Sequence, residues 1–476
     1  MATTINFGEW TPDQPGIAGG LTEAKNVYPI AAGYAPFPLA VDYSAAASET
    51  LNNVVAGKSG ATTQIFAGGT SKLFKFDSSD LSLDDVSKAG GYTTPVGDRW
   101  NFTQFGGVLL AANNEAILQA WTIGSSTVWA NVSASAPVAR YVTVVRDFVV
   151  CASIGAGTYP NRVQWSDIND ETDWVSGTTS QSDFQDLAEG GDIRGITGGE
   201  FGLVLTERAI NRMTYVGSPF YFQFDVISRG LGCLEQNSIA QYNGITYFLS
   251  DDGFYACDGQ NIIPIGAEKV DRFFFNDANI GLISEMSTAV DPVRALVMWS
   301  YRNVSGGQSI LMYHWQIKRW SYGETTADRI ASARTAAVTL EGLDAFGTVD
   351  SITTSWDDRI WSGGDLLLAG TDGAKIVTFT GSASTASITT QDINAGAVTM
   401  ISMVRPIVDS GSANTSVASR NILSAQPSFG SVVATNSDGR SPHRSVGRYH
   451  RVRVTPTGNW STAVGIEVDF ANAGMR

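Results

Sequence analysis

The histidines are the side chains best suited to acid–base chemistry near neutral pH, and the three of them are scattered along the chain. His314 lies between two aromatic residues in a predicted strand, whereas His443 and His450 lie among arginines. The sequence contains no Gly-x-Ser-x-Gly motif, and no nucleophile has the spacing of a catalytic triad to any histidine. We therefore predict no catalytic residue, and we expect each histidine to be hydrogen-bonded or exposed.

The densest acidic run, residues 167–173, is the best candidate for a metal site. Asp167 and Asn169 match the first and third ligands of an EF-hand loop, but Thr172 stands where that loop requires glycine. The terminal glutamate is missing too, and there is no HExxH or CxxC motif. We predict a solvated turn, no metal site and no cofactor. A catalytic pair of carboxylates, as in glycosidases, stays an open alternative, because the distance between two such groups is set by the fold and not by their spacing along the chain.

The cysteines and the amino terminus indicate the compartment in which the chain is made. Cys151, Cys233 and Cys257 form no close pair, which predicts reduced, buried thiols in a reducing compartment. The amino terminus has no basic and apolar signal segment, and no apolar run reaches the length of a membrane span. We expect a protein made in the cytoplasm, without a secretion signal or a membrane span.

Charge restricts the kinds of partner. The formal net charge is −15, which argues against a surface that grips nucleic acid by neutralising phosphates. It is compatible with a surface that DNA passes without sticking, and also with an acidic surface that keeps the protein soluble. One basic cluster stands out, and it either contacts an acidic partner or DNA phosphates, or pairs with carboxylates of its own domain. Its members are Arg440, His443, Arg444, Arg448, Arg451 and Arg453.

The elements that must position these residues are short strands and turns. Residues 245–257 read as two strands around Asp252-Gly253, a strong signal for a tight type I′ hairpin turn. Similar units recur near residues 64–77 and 366–380, and about 40 to 50 residues per unit suits four-stranded propeller blades. Only 16% of the residues are charged, and glycines are abundant. We predict an all-β chain whose residues 46–379 form an irregular β-propeller.

The two chain ends differ from this pattern. Residues 1–45 read as an extended arm with prolines and aromatic anchors, which packs on a distant domain of the chain or on a neighbouring subunit. Residues 380–476 are rich in small polar residues and close with predicted strands at 449–454 and 463–470. We predict that the arm and the carboxy-terminal strands together form a smaller β platform domain.

Several short segments follow one another along the chain in a recognisable order. They are GEWTPD (8–13), NVYP (26–29), VQWSD (163–167), DIRGI (192–196), RGLGC (229–233), DDGFY (251–255) and GRYHRVRV (447–454). In this order they resemble the tail nozzle proteins of short-tailed double-stranded DNA phages, also called packaged-DNA stabilisation or tail hub proteins. The match is weakest between residues 280 and 362, where the strands are generic.

The resemblance implies a structural role in the virion tail. Such a nozzle is a homohexameric ring below the portal and adaptor rings; it continues the DNA channel, retains the packaged genome and opens for ejection. The implied partners are the adaptor ring, tail fibre or spike proteins, and duplex DNA that passes through the lumen without sequence-specific binding. We expect the platform to carry the adaptor and subunit interfaces, through Trp10, Tyr28, Tyr34, Phe37, Arg444, Arg448, Tyr449 and Arg451.

Two alternatives from other classes stay open. A propeller-type tail protein could degrade polysaccharide, which needs two or three carboxylates converging at the propeller mouth. It could instead bind glycans or proteins passively through its many tryptophans and tyrosines. A polysaccharide-degradation assay separates the first alternative from a nozzle, and monomeric behaviour with glycan affinity would favour the second.

Overall fold

The computed structural model describes residues 2–335 and 364–473. The amino-terminal segment forms short strands because prolines and glycines interrupt it repeatedly. These strands are β1 (Ala2–Asn6), β2 (Leu21–Lys25), β3 (Val27–Ile30), β4 (Gly33–Pro36) and β5 (Val41–Asp42).

Five four-stranded antiparallel sheets then follow one another along the chain, each formed from consecutive strands. The first sheet consists of β6 (Leu51–Ser59), β7 (Thr62–Gly69), β8 (Leu73–Phe76) and β9 (Leu83–Asp85). The second consists of β10 (Asn101–Phe105), β11 (Val108–Ala112), β12 (Gln119–Thr122) and β13 (Ala130–Asn131). The third consists of β14 (Ala139–Val145), β15 (Phe148–Ile154), β16 (Tyr159–Trp165) and β17 (Asp183–Asp186). The fourth sheet consists of β18 (Ile193–Thr197), β19 (Gly202–Thr206), β20 (Ala209–Gly217) and β21 (Tyr221–Arg229). The fifth consists of β22 (Ala240–Tyr242), β23 (Ile245–Leu249), β24 (Phe254–Cys257) and β25 (Ile262–Pro264).

Short helices and two further groups of strands complete this part of the chain. The helix α1 spans Asp271–Asp277, and 3-10 helices span Gln236–Ser238 and Ile280–Glu285. The strands are β26 (Ser287–Asp291), β27 (Leu296–Arg302), β28 (Gln308–His314) and β29 (Arg319–Thr325), followed by β30 (Arg329–Arg334), β31 (Leu366–Asp372) and β32 (Lys375–Thr378).

These sheets form a β-propeller, as the sequence predicted. In the described part of the chain, six four-stranded sheets stand alone, and strands β26–β29 occupy one further blade position as part of a larger sheet. The first strand of each unit lines one central channel, and β30 lies beside β6, which closes the ring. The last blade is completed by β5, because Val41 pairs with Thr378 and Asp42 with Val377. The predicted boundary at residue 45 is therefore corrected, since β5 belongs to the propeller.

The larger sheet joins both chain ends to the propeller. Its carboxy-terminal strands are β33 (Ser387–Thr390), β34 (Ile393–Val408), β35 (Ser412–Arg420), β36 (Val433–Ala434), β37 (Ser441–Thr457) and β38 (Ala463–Asn472). The fourteen strands run in the order β26-β27-β28-β29-β2-β33-β37-β34-β38-β4-β3, with β1 beside β38, β35 beside β37 and β36 beside β35. We call its part outside β26–β29 the platform. Strand β2 lies parallel to β29, with Lys25 opposite Tyr322, so the sheet of one blade continues into the platform.

The hairpin between β23 and β24 is present, but its turn is longer than predicted. Leu249 pairs with Phe254, which leaves a four-residue loop in place of the expected two-residue type I′ turn. Ser250 N–H donates to the Gly253 carbonyl at 2.8 Å. Gly253 has φ +153°, and a Cβ at this position would lie 2.2 Å from the Asp271 carboxylate. The close approach of Asp271 therefore explains the glycine.

Candidate functional site

The arm is anchored on its own chain by Trp10. The indole is 0% exposed, stacks on Tyr322 at 4.9 Å between ring centroids, and meets Phe273 edge-on at 5.0 Å. Its Nε1 donates to the Thr22 carbonyl at 3.2 Å. This packing joins the arm, helix α1 and strand β29 in one hydrophobic core.

Two further aromatic residues of the arm are buried in the same way. The Tyr34 hydroxyl donates to the Gly8 carbonyl at 3.0 Å, and burial raises the pKa of Tyr34 well above its ordinary value. Phe37 packs on Phe379 at 5.5 Å. The interface role predicted for Trp10, Tyr34 and Phe37 is corrected here, because the fold of the chain itself covers these rings. Tyr28 is half-buried, with the Arg294 guanidinium 5.7 Å from its ring.

Polar contacts also fasten the arm to the propeller. The Asp13 carboxylate accepts hydrogen bonds from the main-chain N–H groups of Arg272 and Phe273, both at 2.8 Å. Helix α1 has no capping side chain of its own at its N-cap residue, so Asp13 supplies the cap from a distant segment. The Glu9 carboxylate lies 2.6 Å from Lys269 Nζ in the same region.

Two arginines of the basic cluster pair with carboxylates within the platform. Arg451 Nε donates to Asp392 Oδ1 at 2.9 Å, and Arg420 contacts the same buried carboxylate. Arg453 Nε lies 3.3 Å from Glu23 Oε2. The Asp392 carboxylate therefore holds the half-buried Arg451 guanidinium within its own chain, and the interface role of Arg451 stays a prediction.

Three other arginines of the basic cluster face outward. Arg440, Arg444 and Arg448 are exposed, and none has a carboxylate within 4.0 Å among residues 2–335 and 364–473. Val446 projects between two of them and is 51% exposed. Ile422 is also exposed. It follows Arg420 by two residues, and Arg420 lies opposite Tyr449 where β35 pairs with β37. We call this surface the platform patch, and its members are Arg440, Arg444, Val446, Arg448 and Ile422.

Tyr449 borders the platform patch but is not part of its outer surface. The residue is half-buried and lies opposite Arg420. The Arg448 guanidinium carbon is 5.8 Å from the centroid of its ring, within the range of a cation–π contact. Of the residues predicted for the interface, Arg444 and Arg448 are exposed, while Tyr28 and Tyr449 are partly accessible.

The three histidines are buried or half-buried. His450 is fully buried between the hydroxyls of Thr399 at 2.9 Å and Ser419 at 2.7 Å, with no carboxylate in the set. His443 Nε2 lies 2.7 Å from Thr415 Oγ1. Burial lowers the pKa of both imidazoles. His314 is also buried, and burial lowers its pKa too. Its Nδ1 has no hydrogen-bond partner among the described atoms, so this histidine departs from the predicted hydrogen-bonded or exposed position.

The three cysteine thiols lie in the core of the fold. Cys151, Cys233 and Cys257 are free and buried, which confirms the prediction of unpaired core thiols.

Within the residues that the structure describes, no three histidine, cysteine, aspartate or glutamate side chains are placed to hold a metal ion. In the same residues, no helix combines the length and the apolarity of a membrane span.

The propeller channel opens into a polar cavity of about 290 Å³ at the end where the inner strands begin. One arginine in its wall is neutralised: Arg140 Nη2 lies 2.5 Å from Asp98 Oδ1, and Asn114 Nδ2 donates to Asp98 Oδ2 at 2.8 Å. The Tyr141 hydroxyl donates to Gln236 Oε1 at 2.5 Å. The sequence analysis did not single out this cavity, because its residues come from every blade.

The sequence matches no protein-family model and no curated protein. Among solved structures, the chain is similar to the WD40 domain of Toxoplasma gondii coronin, with 8% identity, coverage of 75% of this chain and 87% of that chain, and a TM-score of 0.40. It is also similar to the WD40 domain of SCAP from fission yeast, with 9% identity, coverage of 90% and 93%, and a TM-score of 0.37. A computationally designed protein, Ika8, matches with 7% identity, coverage of 72% and 99%, and a TM-score of 0.35. We draw nothing about function from these likenesses.

Proposed function

We propose that this chain is a structural subunit of a tail nozzle, the ring below the portal and adaptor rings of a short-tailed phage. In this role, six copies in the virion tail continue the DNA channel, retain the packaged genome and open for ejection. Support comes from the ordered segments that resemble this family and from a propeller whose sheet continues into a platform built from both chain ends. The adaptor ring and the tail fibre or spike proteins are the partners that this role requires.

The platform patch is the observation that carries the proposal. It combines exposed arginines with exposed Val446 and Ile422, on a chain whose net charge is −15. A basic patch on an acidic chain is complementary to other surfaces of the same chain, and heterologous contacts between copies can close a ring. The occupant we assign to the platform patch is therefore a second copy of this chain.

DNA would pass through the middle of the ring and not through a propeller. The channel cavity of about 290 Å³ is far too small for a duplex, whose major groove alone is about 12 Å wide. A lumen between acidic subunits would let the duplex slide, because a wall that neutralised many phosphates would hold it. This arrangement requires no sequence-specific contact with the bases.

Native mass is the measurement that tests the proposal, on the purified protein alone and mixed with a portal–adaptor assembly. We expect a sixfold ring, or six copies recruited to each assembly. The double variant Arg444→Glu and Arg448→Glu should remain monomeric or unrecruited at low salt, because it places like charges against an acidic neighbour.

The matched control is Arg208→Glu, which reverses an exposed arginine on the propeller. Charge reversal is a sharper test than deletion of residues 1–43, because that deletion would also remove Trp10 and strand β5 from the fold. A wild-type monomer that ignores the assembly would overturn the nozzle proposal. Glycan binding or polysaccharide degradation by that monomer would then identify the alternative.

A further inference from the structure

Two arginines from distant parts of the propeller sequence line the mouth of the channel. Arg99 lies just before β10, and Arg329 is the first residue of β30. Both are half-buried, and both line the cavity of about 290 Å³. The site does not involve the platform patch, so it is independent of the nozzle proposal.

Main-chain carbonyls hold both guanidinium groups in place without neutralising them. Arg99 donates from Nη1 to the Met286 carbonyl at 2.7 Å and from Nη2 to the Ser284 carbonyl at 2.9 Å. Arg329 Nη1 donates to the Leu51 carbonyl at 3.2 Å. Among the described residues, neither arginine has a carboxylate within 4.0 Å, in contrast to Arg140.

The carboxylates nearest to these arginines are engaged elsewhere. Glu285 and Asp328 both pair with Arg302, each at 3.1 Å. Glu235 accepts hydrogen bonds from the main-chain and side-chain nitrogens of Asn237, at 3.1 and 3.0 Å. None of these carboxylates forms an ion pair with Arg99 or Arg329, so both guanidinium groups remain open to a further acceptor. The charges of Glu235 and Glu285 act on Arg99 only from a distance, where they oppose the lowering of its pKa.

Hydrogen-bonding capacity is left over as well. A guanidinium carries five N–H donors, and the contacts above use two in Arg99 and one in Arg329. Arg329 Nε is buried and has no hydrogen-bond partner among the described atoms. Burial lowers the pKa of Arg99 to about 9, with a further lowering by the Arg329 cation, and burial lowers the pKa of Arg329. Two cations held close in a partly desolvated site favour a bound anion.

We propose that the channel mouth binds a small oxyanion, a phosphate or a carboxylate, between Arg99 and Arg329. The forked guanidinium matches the geometry of both anions, and the fixed carbonyl contacts keep the two forks oriented. The cavity of about 290 Å³ limits the ligand to a small molecule, since a single water molecule already occupies about 30 Å³ in the liquid.

Isothermal titration of the full chain tests this proposal, with sodium phosphate or sodium acetate replacing sodium chloride at constant ionic strength. We expect saturable binding of at least one of the two anions. Arg99→Met and Arg329→Gln should each lower the association constant about 10-fold, the change expected when a hydrogen bond to a charged group is lost. Arg99→Lys should bind more weakly than wild type, because it keeps the charge and loses the fork.

Arg208→Met is the matched control, because it removes an exposed cation outside the cavity and should bind the anion as wild type does. Circular dichroism and melting without anion verify that each variant is folded, and Arg329→Gln or Arg99→Lys replaces Arg99→Met if that variant does not fold. Saturable binding of phosphate, acetate or both that the cavity variants weaken supports the site and identifies the ligand chemistry. Absence of binding by wild type, or equal binding by wild type and all cavity variants, overturns it.

Discussion

Arg451 Nε donates a hydrogen bond to Asp392 Oδ1 at 2.9 Å, in a position where the Asp392 side chain is 1% exposed. Arg420 contacts the other oxygen of the same carboxylate. The three residues come from β37, β35 and the segment between β33 and β34, so one buried ion cluster joins the middle of the platform. Arg420 and Arg451 of this cluster therefore hold the fold together, in contrast to the exposed arginines of the platform patch.

Asp392→Asn should destabilise the protein by about 3 to 5 kcal/mol, because it leaves two partly buried guanidinium groups without their counter-charge. Urea unfolding of the purified chain measures the change. Asp186→Asn is the control, since it breaks the more exposed pair with Arg162 and should cost at most about 1 kcal/mol. Equal effects of the two substitutions would show that burial of Asp392 contributes nothing.

Asp13→Ala should cost about 0.5 to 2 kcal/mol through the loss of the cap on helix α1. The substitution removes the acceptor of two main-chain N–H groups, those of Arg272 and Phe273. Urea unfolding is again the measurement, with Glu268→Ala as the control, because that exposed residue only contacts Arg272 at 3.8 Å. A loss no larger than that of the control would argue against capping by Asp13.

Asp271 should make the protein less stable as the pH rises from about 4 to about 7. Burial raises the pKa of this carboxyl to about 7, opposed by the hydrogen bond from Phe254 N–H and reinforced by Asp13 and Asp252. Because the folded-state pKa lies above the unfolded value of about 3.9, its stabilising contribution is complete below that value and is lost as the pH passes about 7.

Asp271→Asn tests this dependence. The variant should unfold at higher urea concentration than wild type at pH 8, and the difference should shrink towards zero at pH 4. Urea unfolding in a series of buffers at constant ionic strength measures the difference, with Asp251→Asn as an exposed control in the neighbouring loop. A pH-independent difference between wild type and Asp271→Asn would contradict the raised pKa.

The thiols should not react with a disulfide reagent in the folded protein at pH 8. Burial raises the pKa of Cys233 to about 12 and also raises the pKa of Cys151 and Cys257, so little thiolate is present. All three should react once guanidinium chloride unfolds the chain. Val96→Cys, at a fully exposed position, provides a thiol that should react at once in the folded state. Rapid reaction of any native thiol without unfolding would contradict the placement in the core.

The sequence determined the local features of this protein. Alternation of apolar and polar residues with glycine turns predicts strands and hairpins, because side chains of neighbouring positions point to opposite faces. The β-propeller could be predicted on that basis, and the free thiols could be predicted from the absence of a close cysteine pair.

Only the tertiary structure decided which distant segments meet. Pairing of β5 with β32, capping of α1 by Asp13 and the ion pair of Asp392 with Arg451 each join segments that carry no local signal for one another. The same holds for Arg99 and Arg329, whose only sequence signal is a charged residue at the start of an inner strand. The physical reason is that strand pairing, burial and charge balance depend on three-dimensional neighbours, whereas periodicity records only which face of its own strand a residue occupies.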